Sequence, residues 1–110
     1  MTTYPKVIRD DKVAVIYSPG YGAGWYSWNL DHPGLLFDPE VVRWIEFGKK
    51  ESEVADLEFY LDAIYPNGYF SMDKLVIEWL PVGTEFIINE YDGSESISIR
   101  EEFKSFWIVA

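Results

Sequence analysis

Residues 75–99 read LVIEWLPVGTEFIINEYDGSESISI, and this stretch decides the fold class. The apolar run 75–80 has the side-chain period of two that is typical of β-strands, and the run 86–91 is predicted to be the next strand. PVGT at 81–84 and the pair Asp92-Gly93 are turn sequences, and Asp-Gly favours a two-residue hairpin turn. Short apolar runs continue beyond this turn towards the C terminus. The C-terminal half is therefore predicted to be an antiparallel meander.

The N-terminal residues form a second β-rich region. Val7-Ile8 and the run 13–17 contain mostly apolar, β-branched side chains. They flank Arg9-Asp10-Asp11-Lys12, whose central acids favour a tight turn. We therefore predict a β-hairpin at this end of the sheet.

Two helices are predicted between the β regions. Asp38-Pro39-Glu40 combines an N-cap acceptor, a proline at the first helical position and an acid in the first turn. Gly48 suits the end of this helix. A second helix is predicted from Ser52 up to Pro66-Asn67-Gly68, because apolar residues recur there at spacings of three and four. These residues are Val54, Leu57, Leu61 and Ile64.

Residues 1–110 are thus predicted to form a single domain of the α+β class. Its antiparallel sheet combines the N-terminal hairpin with the C-terminal meander, and the two helices pack on one face. MTTYPKVIRDDK at 1–12 lacks an apolar signal core, and no apolar run approaches the length of a membrane span. A cytoplasmic location is therefore expected.

The charge and composition of the chain limit its partners. Its 19 acidic and 9 basic side chains give a formal charge of -10, which repels phosphate backbones and anionic membranes. We therefore expect neither a nucleic acid nor a membrane as partner, although the acidity also fits a role in solubility alone. The absence of cysteine excludes disulfide bonds and thiolate sites.

The Gly-rich stretch 18–28 follows a predicted strand and is the main candidate for a binding site. Glycine leaves backbone N–H groups free to hold a phosphate, and aromatic rings can stack on a nucleotide base. Arginines elsewhere in the chain would balance the phosphate charge. Alternatively, the glycines permit an irregular crossover that only supports the core. The candidate ligand-binding residues are Ser18, Gly20, Tyr21, Gly22, Ala23, Gly24, Trp25, Trp28, Arg9, Arg43 and Arg100.

Patterns for catalysis and metal binding are weak. Asp31-His32 is the one place where a histidine adjoins a carboxylate. Glu90, Asp92 and Glu95 lie around a turn, and their spacing does not match a calcium loop, so we interpret them as a solvated hairpin turn. No set of nucleophile, base and orienting group is recognisable. We therefore expect no enzyme activity, no cofactor and no metal site.

Three patterns carry a resemblance to known proteins. They are SPGYGAGW at 18–25, LLFDP at 35–39 and EYDGSESI at 90–97. In this order they resemble a family of small proteins of tailed phages and prophages. The resemblance implies a phage origin and action in the cytoplasm of the host cell, where small accessory phage proteins often block host defence.

Three functions remain open as hypotheses. The first is a non-catalytic binding protein that sequesters a nucleotide-like host defence signal, an anti-defence sponge. The second is an acidic protein that inhibits a host defence protein by binding its basic surface directly. The third is a structural or assembly accessory protein of the phage.

A homo-oligomer is also expected. Aromatic residues make up 18% of the chain, more than a small core readily hides. A boundary between subunits would also supply the concave pocket that a small domain has little room to enclose. Trp25 and Trp28 are expected to be shielded by a partner subunit.

Overall fold

The structure is a computed structural model that describes residues 4–20, 22, 24–99 and 108–110. Its strands and helices are β1 (Ile8–Arg9), β2 (Lys12–Tyr17), α1 (Pro39–Glu46), α2 (Val54–Ile64), β3 (Val76–Pro81), β4 (Glu85–Tyr91), β5 (Ser94–Ile99) and β6 (Ile108–Val109). Short 3-10 turns occupy Tyr26–Trp28, Pro33–Leu36 and Glu51–Glu53. The predicted α+β class is confirmed.

The predicted N-terminal hairpin is formed by β1 and β2. Arg9 lies opposite Lys12 across the turn. Asp10 and Asp11 adopt φ angles of 51° and 62°, the left-handed backbone that a two-residue type I′ turn requires. Aspartate tolerates this conformation better than most residues, which explains the two adjacent acids.

The strands divide between two sheets, whereas the sequence predicted one. The first sheet has the order β1-β2-β3 and the second has the order β5-β4-β6. β3 is antiparallel to β2 along its whole length, from Tyr17 opposite Val76 to Lys12 opposite Pro81. The C-terminal strands are present as predicted, but β3 does not pair with β4, so their arrangement is not a simple meander.

The burial of β2 gives the physical reason for this division. Val13, Ala14, Val15 and Ile16 are all inaccessible to solvent, so β2 is covered on both faces. Ala14 and Ile16 pack in a cluster with residues of α1 and α2. Val13 and Val15 pack in another cluster, which includes Phe86 of β4. The first sheet therefore lies between the helices and the second sheet.

The start of α1 is formed as predicted. The Asp38 side chain accepts hydrogen bonds from the N–H groups of Glu40 and Val41, at 2.9 and 3.2 Å. Pro39 is the first helical residue, and Gly48 has a φ of 94° just after the helix. Both residues match the helix-boundary rules that predicted them.

The second helix begins at Val54, after the 3-10 turn. Leu57 and Leu61 are buried against α1 and the first sheet, as their spacing predicted. Ile64 was expected on the same face but is half exposed in the last helical turn. Among the described residues, no helix is long and apolar enough to cross a membrane.

Candidate functional site

Trp25 belongs to the hydrophobic core and anchors the Gly-rich loop, residues 18–28. Its side chain is fully buried, and its indole N–H donates to the carbonyl oxygen of Leu35 at 2.8 Å. The amide of Asn29 donates in turn to the Trp25 carbonyl oxygen at 2.8 Å. Trp25 is therefore shielded by its own chain, not by a partner subunit, and its ring is not available for stacking on a base.

The acceptor for the N–H groups of the loop is Glu95, a buried residue of β5. Only 1% of its surface is exposed. Its Oε1 atom accepts the Ser18 N–H at 2.9 Å. Its Oε2 atom accepts the N–H groups of Trp25 and Ser27, each at 2.8 Å, and the Ser27 hydroxyl at 2.7 Å. Four donors of the loop thus converge on one carboxylate.

Backbone contacts hold the same two segments together. The Glu95 N–H donates to the Ser18 carbonyl oxygen at 2.7 Å, and the Gly22 N–H donates to the Asp92 carbonyl oxygen at 3.2 Å. Gly93 has a φ of 83°, and a Cβ at this position would lie 1.5 Å from the Gly22 carbonyl oxygen. The close approach of loop and turn therefore requires glycine at 93.

These contacts change the interpretation of the loop and of the acidic turn. The sequence predicted that N–H groups freed by glycine hold the phosphate of a ligand. In the structure, the N–H groups of Ser18, Trp25 and Ser27 instead bind the Glu95 carboxylate of the same chain. The interpretation of Glu95 as part of a solvated turn was wrong. Its position contained a usable signal, because Glu95 is two residues before Ile97 and hence on the same face of β5.

The remaining candidate residues do not converge on this loop. Arg9 forms a two-point contact with the Glu46 carboxylate, at 2.5 and 2.8 Å, and lies over the Trp79 ring. Arg43 pairs with Glu40 at 3.3 Å, one helical turn away on α1. The predicted residues Tyr21, Ala23 and Arg100 lie outside the described residues.

Trp28 is the exposed aromatic residue of the loop. It is 48% exposed, and its ring centre lies 5.5 Å from that of Tyr69, with the rings tilted by 44°.

Two glycines of the loop are closely packed. A Cβ on Gly20 would lie 2.3 Å from the Lys74 side chain, and a Cβ on Gly24 would lie 2.4 Å from the Ser27 hydroxyl oxygen. The Gly24 contact places this glycine against the loop itself, which matches the crossover interpretation.

Asp38 is a second buried carboxylate with several donors. Besides capping α1, its Oδ2 atom accepts the hydroxyl groups of Tyr60 and Tyr65, at 3.0 and 2.8 Å. Burial, together with the neighbouring Asp38 carboxylate, raises the pKa of both tyrosines. The sequence indicated the cap but not the two tyrosines, which approach from α2 and from the residue that follows it.

The two patterns considered for metal binding are not assembled as sites. The Nε2 atom of His32 lies 3.0 Å from the Pro66 carbonyl oxygen, and the His32 ring packs edge-on against Tyr65. Glu90 accepts the Gly93 N–H at 2.6 Å. Within the residues that the structure describes, no three histidine or carboxylate side chains are grouped in a way that could hold a metal ion.

The solvent-facing side of α2 and of the preceding 3-10 turn is acidic. Residues 51–73 contain six acids and no lysine, arginine or histidine. Phe59, in the middle of α2, is 80% exposed. We call this surface the acidic face, and it consists of Glu51, Glu53, Asp56, Glu58, Phe59 and Asp62.

The ion pairs of the described residues leave the acidic face free. Arg9 pairs with Glu46, and Arg43 pairs with Glu40. Both pairs involve α1, and neither engages a carboxylate of the acidic face. The charges of this face are therefore available to a partner.

A groove of about 210 Å³ separates α1 from α2. Trp44, Leu57 and Tyr60 supply its apolar and aromatic surface. Its charged residues are Glu40, Arg43, Glu53 and Asp56. We call it the α1–α2 groove, and it opens beside the acidic face because Glu53 and Asp56 belong to both.

Comparison with known proteins adds no constraint on function. No family model, no curated protein and no solved structure matches the chain.

Proposed function

We propose that the protein is a non-catalytic binding protein whose acidic face occupies a basic surface of another protein. The observation that carries this proposal is a helical surface with five carboxylates around an exposed phenylalanine and no cation in the same segment. Carboxylates at a protein surface attract a basic partner and steer its approach. An exposed aromatic side chain is the type of residue that anchors an interface.

The solvent exposure of the acidic face supports a role in binding over one in folding. Glu51, Asp56, Glu58 and Asp62 are all exposed, and Phe59 points away from the buried residues Leu57 and Leu61. A large exposed phenylalanine contributes little to the stability of the isolated chain. Its contribution comes when a partner covers it.

Nucleotide capture receives less support from the described residues. Three backbone N–H groups of the Gly-rich loop already hold Glu95, so a phosphate would have to displace a buried carboxylate. The best stacking candidate, Trp25, is enclosed by its own chain. Arg9 and Arg43 are paired with glutamates of α1.

The first partner to test is a host defence protein with a basic surface. We choose a host defence protein because SPGYGAGW, LLFDP and EYDGSESI resemble sequences of phage proteins. We expect its surface to be basic because the acidic face is negatively charged. Inhibition would result from covering that surface, and no chemical step is required of this chain.

Binding of a fluorescent arginine- and lysine-rich octapeptide, followed by anisotropy at several salt concentrations, tests the proposal. We expect saturable binding that weakens as salt rises, because exposed charges are screened. Glu58→Gln/Asp62→Asn should lower the affinity by about 5-fold. Phe59→Ala should lower it further without altering the salt dependence.

Asp10→Asn/Asp11→Asn is the matched control. It removes the same two negative charges, at the β1–β2 turn, and asparagine tolerates the positive φ of both positions. The control should bind the octapeptide as the wild type does. Equal loss in both double variants would show that binding follows net charge alone, and the proposal would fail.

A photo-cross-linking residue in place of Phe59 tests the proposal in infected or expressing cells. It should form a discrete adduct with a basic protein, whereas the same residue at Tyr91, an exposed aromatic of β4, should not. Identical adducts from the two positions would contradict a specific role for the acidic face.

A further inference from the structure

We propose that the α1–α2 groove is the site that receives one cationic side chain, an arginine or a lysine, from the basic partner. The inference rests on the proposed function and adds to it a specific contact. The acidic face would attract the partner, and the groove would fix its position. Glu53 and Asp56 belong to both surfaces, so the groove is tested with single amino-acid probes and the acidic face with the octapeptide.

The walls of the groove match the aliphatic part of such a side chain. Trp44, Leu57 and Tyr60 supply aromatic and apolar surface between the two helices. Lysine and arginine bury their methylene groups along surfaces of this type while the charged end reaches polar groups. The rings of Trp44 and Tyr60 can also attract the cation itself.

The charges of the groove match the cationic end. Glu40 is already paired with Arg43 at 3.3 Å. Glu53 and Asp56 have no ion pair among the described residues, so two carboxylates remain for an incoming ammonium or guanidinium group. A cation between carboxylates and an aromatic wall gains both charge-assisted hydrogen bonds and ring contact.

The size of the groove favours one side chain over a whole small-molecule ligand. Its volume of about 210 Å³ is smaller than the roughly 300–1,000 Å³ typical of pockets for drug-sized molecules. The Tyr60 side chain, which lines the groove, is held in place because its hydroxyl group donates to Asp38 at 3.0 Å. The groove is therefore formed before a partner arrives.

The test is an NMR titration of the labelled protein with single amino-acid probes. N-acetyl-arginine amide and N-acetyl-lysine amide carry the cation, and N-acetyl-glutamine amide is the neutral control. We expect saturable shifts of Tyr60 and Leu57, with a dissociation constant on the order of 1–10 mM for at least one cationic probe. The arginine and lysine arms identify which side chain is preferred, and the neutral probe should cause no saturable shift.

Two double variants separate the groove from the net charge of the chain. Glu53→Gln/Asp56→Asn should weaken probe binding by at least about 5-fold. Asp10→Asn/Asp11→Asn, which removes the same charge at the β1–β2 turn, should leave it unchanged. Preserved dispersion of the amide spectrum confirms that each variant is folded.

The proposal is overturned if neither cationic probe gives saturable shifts at Tyr60 and Leu57, or if both double variants weaken the probe equally. Octapeptide binding that leaves Tyr60 and Leu57 unshifted also overturns the groove as the contact site, while the proposed function stands. Absence of any octapeptide binding would instead contradict the proposed function itself.

Discussion

Glu95 and the carboxylates of α2 are the same chemical group in opposite surroundings. Glu95 is buried and accepts four hydrogen bonds from residues 18–27. Glu58 and Asp62 are exposed and have no ion pair among the described residues. A buried carboxylate must be satisfied within the fold, whereas an exposed one is free to meet a partner.

The comparison shows how an acidic chain uses its acids in two ways. Glu95 and Asp38 serve the fold, since each gathers N–H and hydroxyl donors from separate segments. Within the described part of the chain, the acids of the acidic face make no such contact. The acidic residues therefore fall into two groups. The buried ones stabilise the fold, and the exposed ones are free to contact a partner.

Loss of the Glu95 carboxylate should have the largest effect. Glu95→Ala leaves the N–H groups of Ser18, Trp25 and Ser27 without an acceptor, and each buried unsatisfied donor costs about 1–3 kcal/mol. We expect the free energy of unfolding to fall by about 3–5 kcal/mol, as measured by urea denaturation.

Two variants keep that prediction testable if Glu95→Ala does not fold. Glu95→Gln retains one acceptor oxygen but turns an amide group towards a donor, so its loss should be smaller than that of the alanine variant. Glu58→Ala, on the exposed side of α2, should change stability by less than about 0.5 kcal/mol. Similar losses of stability in the Glu95 and Glu58 variants would show that burial does not distinguish the two carboxylates.

The close approach of Gly22 and Gly93 gives the next largest effect. Gly93→Ala places a Cβ in collision with the Gly22 carbonyl oxygen and also strains a φ of 83°. Gly83→Ala is the matched control, since its φ is 88° and nothing lies within 4 Å of its Cβ. Thermal or urea unfolding should show a loss of about 2–4 kcal/mol for Gly93 and about 1 kcal/mol for Gly83. Equal losses of stability in the two variants would show that the contact between Gly22 and Gly93 does not contribute to stability.

The tyrosines that donate to Asp38 predict a pH dependence. Their pKa values are raised, so the folded protein holds the phenolic protons more tightly than the unfolded chain does. This stabilisation is complete below the ordinary tyrosine pKa of about 10 and is lost as the pH rises above it, by up to about 1.4 kcal/mol per pH unit for each proton.

Urea unfolding between pH 9 and pH 11.5 measures this effect. Tyr65→Phe should make the decline with pH shallower, because one of the two coupled protons is gone. Tyr69→Phe, at an exposed tyrosine, should keep the wild-type slope. A wild-type slope in Tyr65→Phe would show that the Asp38 cluster does not respond to pH in this way.

The smallest effect on stability is expected at the acidic face. Glu58→Gln/Asp62→Asn should change the free energy of unfolding by less than about 0.5 kcal/mol, because these side chains make no ion pair among the described residues. Urea denaturation at low salt checks the value. A loss above about 1 kcal/mol would assign these acids a structural role.

Local sequence patterns predicted the elements that depend on local contacts. The cap at Asp38, the helix end at Gly48 and the Asp10-Asp11 turn each depend on residues within a few positions. The division into two sheets depends on which strand β2 selects as its second neighbour. The continuous apolar run at residues 13–16 is typical of a buried central strand but does not specify which strand pairs with it.

The candidate site was predicted only in part, for the same reason. Glycine content and position identified the loop, but its anion comes from Glu95, 70 residues after Trp25. Such a contact leaves no local signal except the period of two that places Glu95 with Ile97. The helical period sets Phe59 off the face of Leu57 and Leu61, and its exposure agrees with that position.

A parallel NMR titration of the labelled protein with the basic octapeptide and with a panel of cyclic and ADP-ribose-type nucleotides compares the acidic face with the Gly-rich loop as binding surfaces. The octapeptide should shift the amides of Asp56, Phe59 and Asp62, and the nucleotides should leave Ser18 and Trp25 unshifted. Nucleotide-dependent shifts at Ser18 and Trp25, with the acidic face unchanged by the octapeptide, would overturn the proposed function.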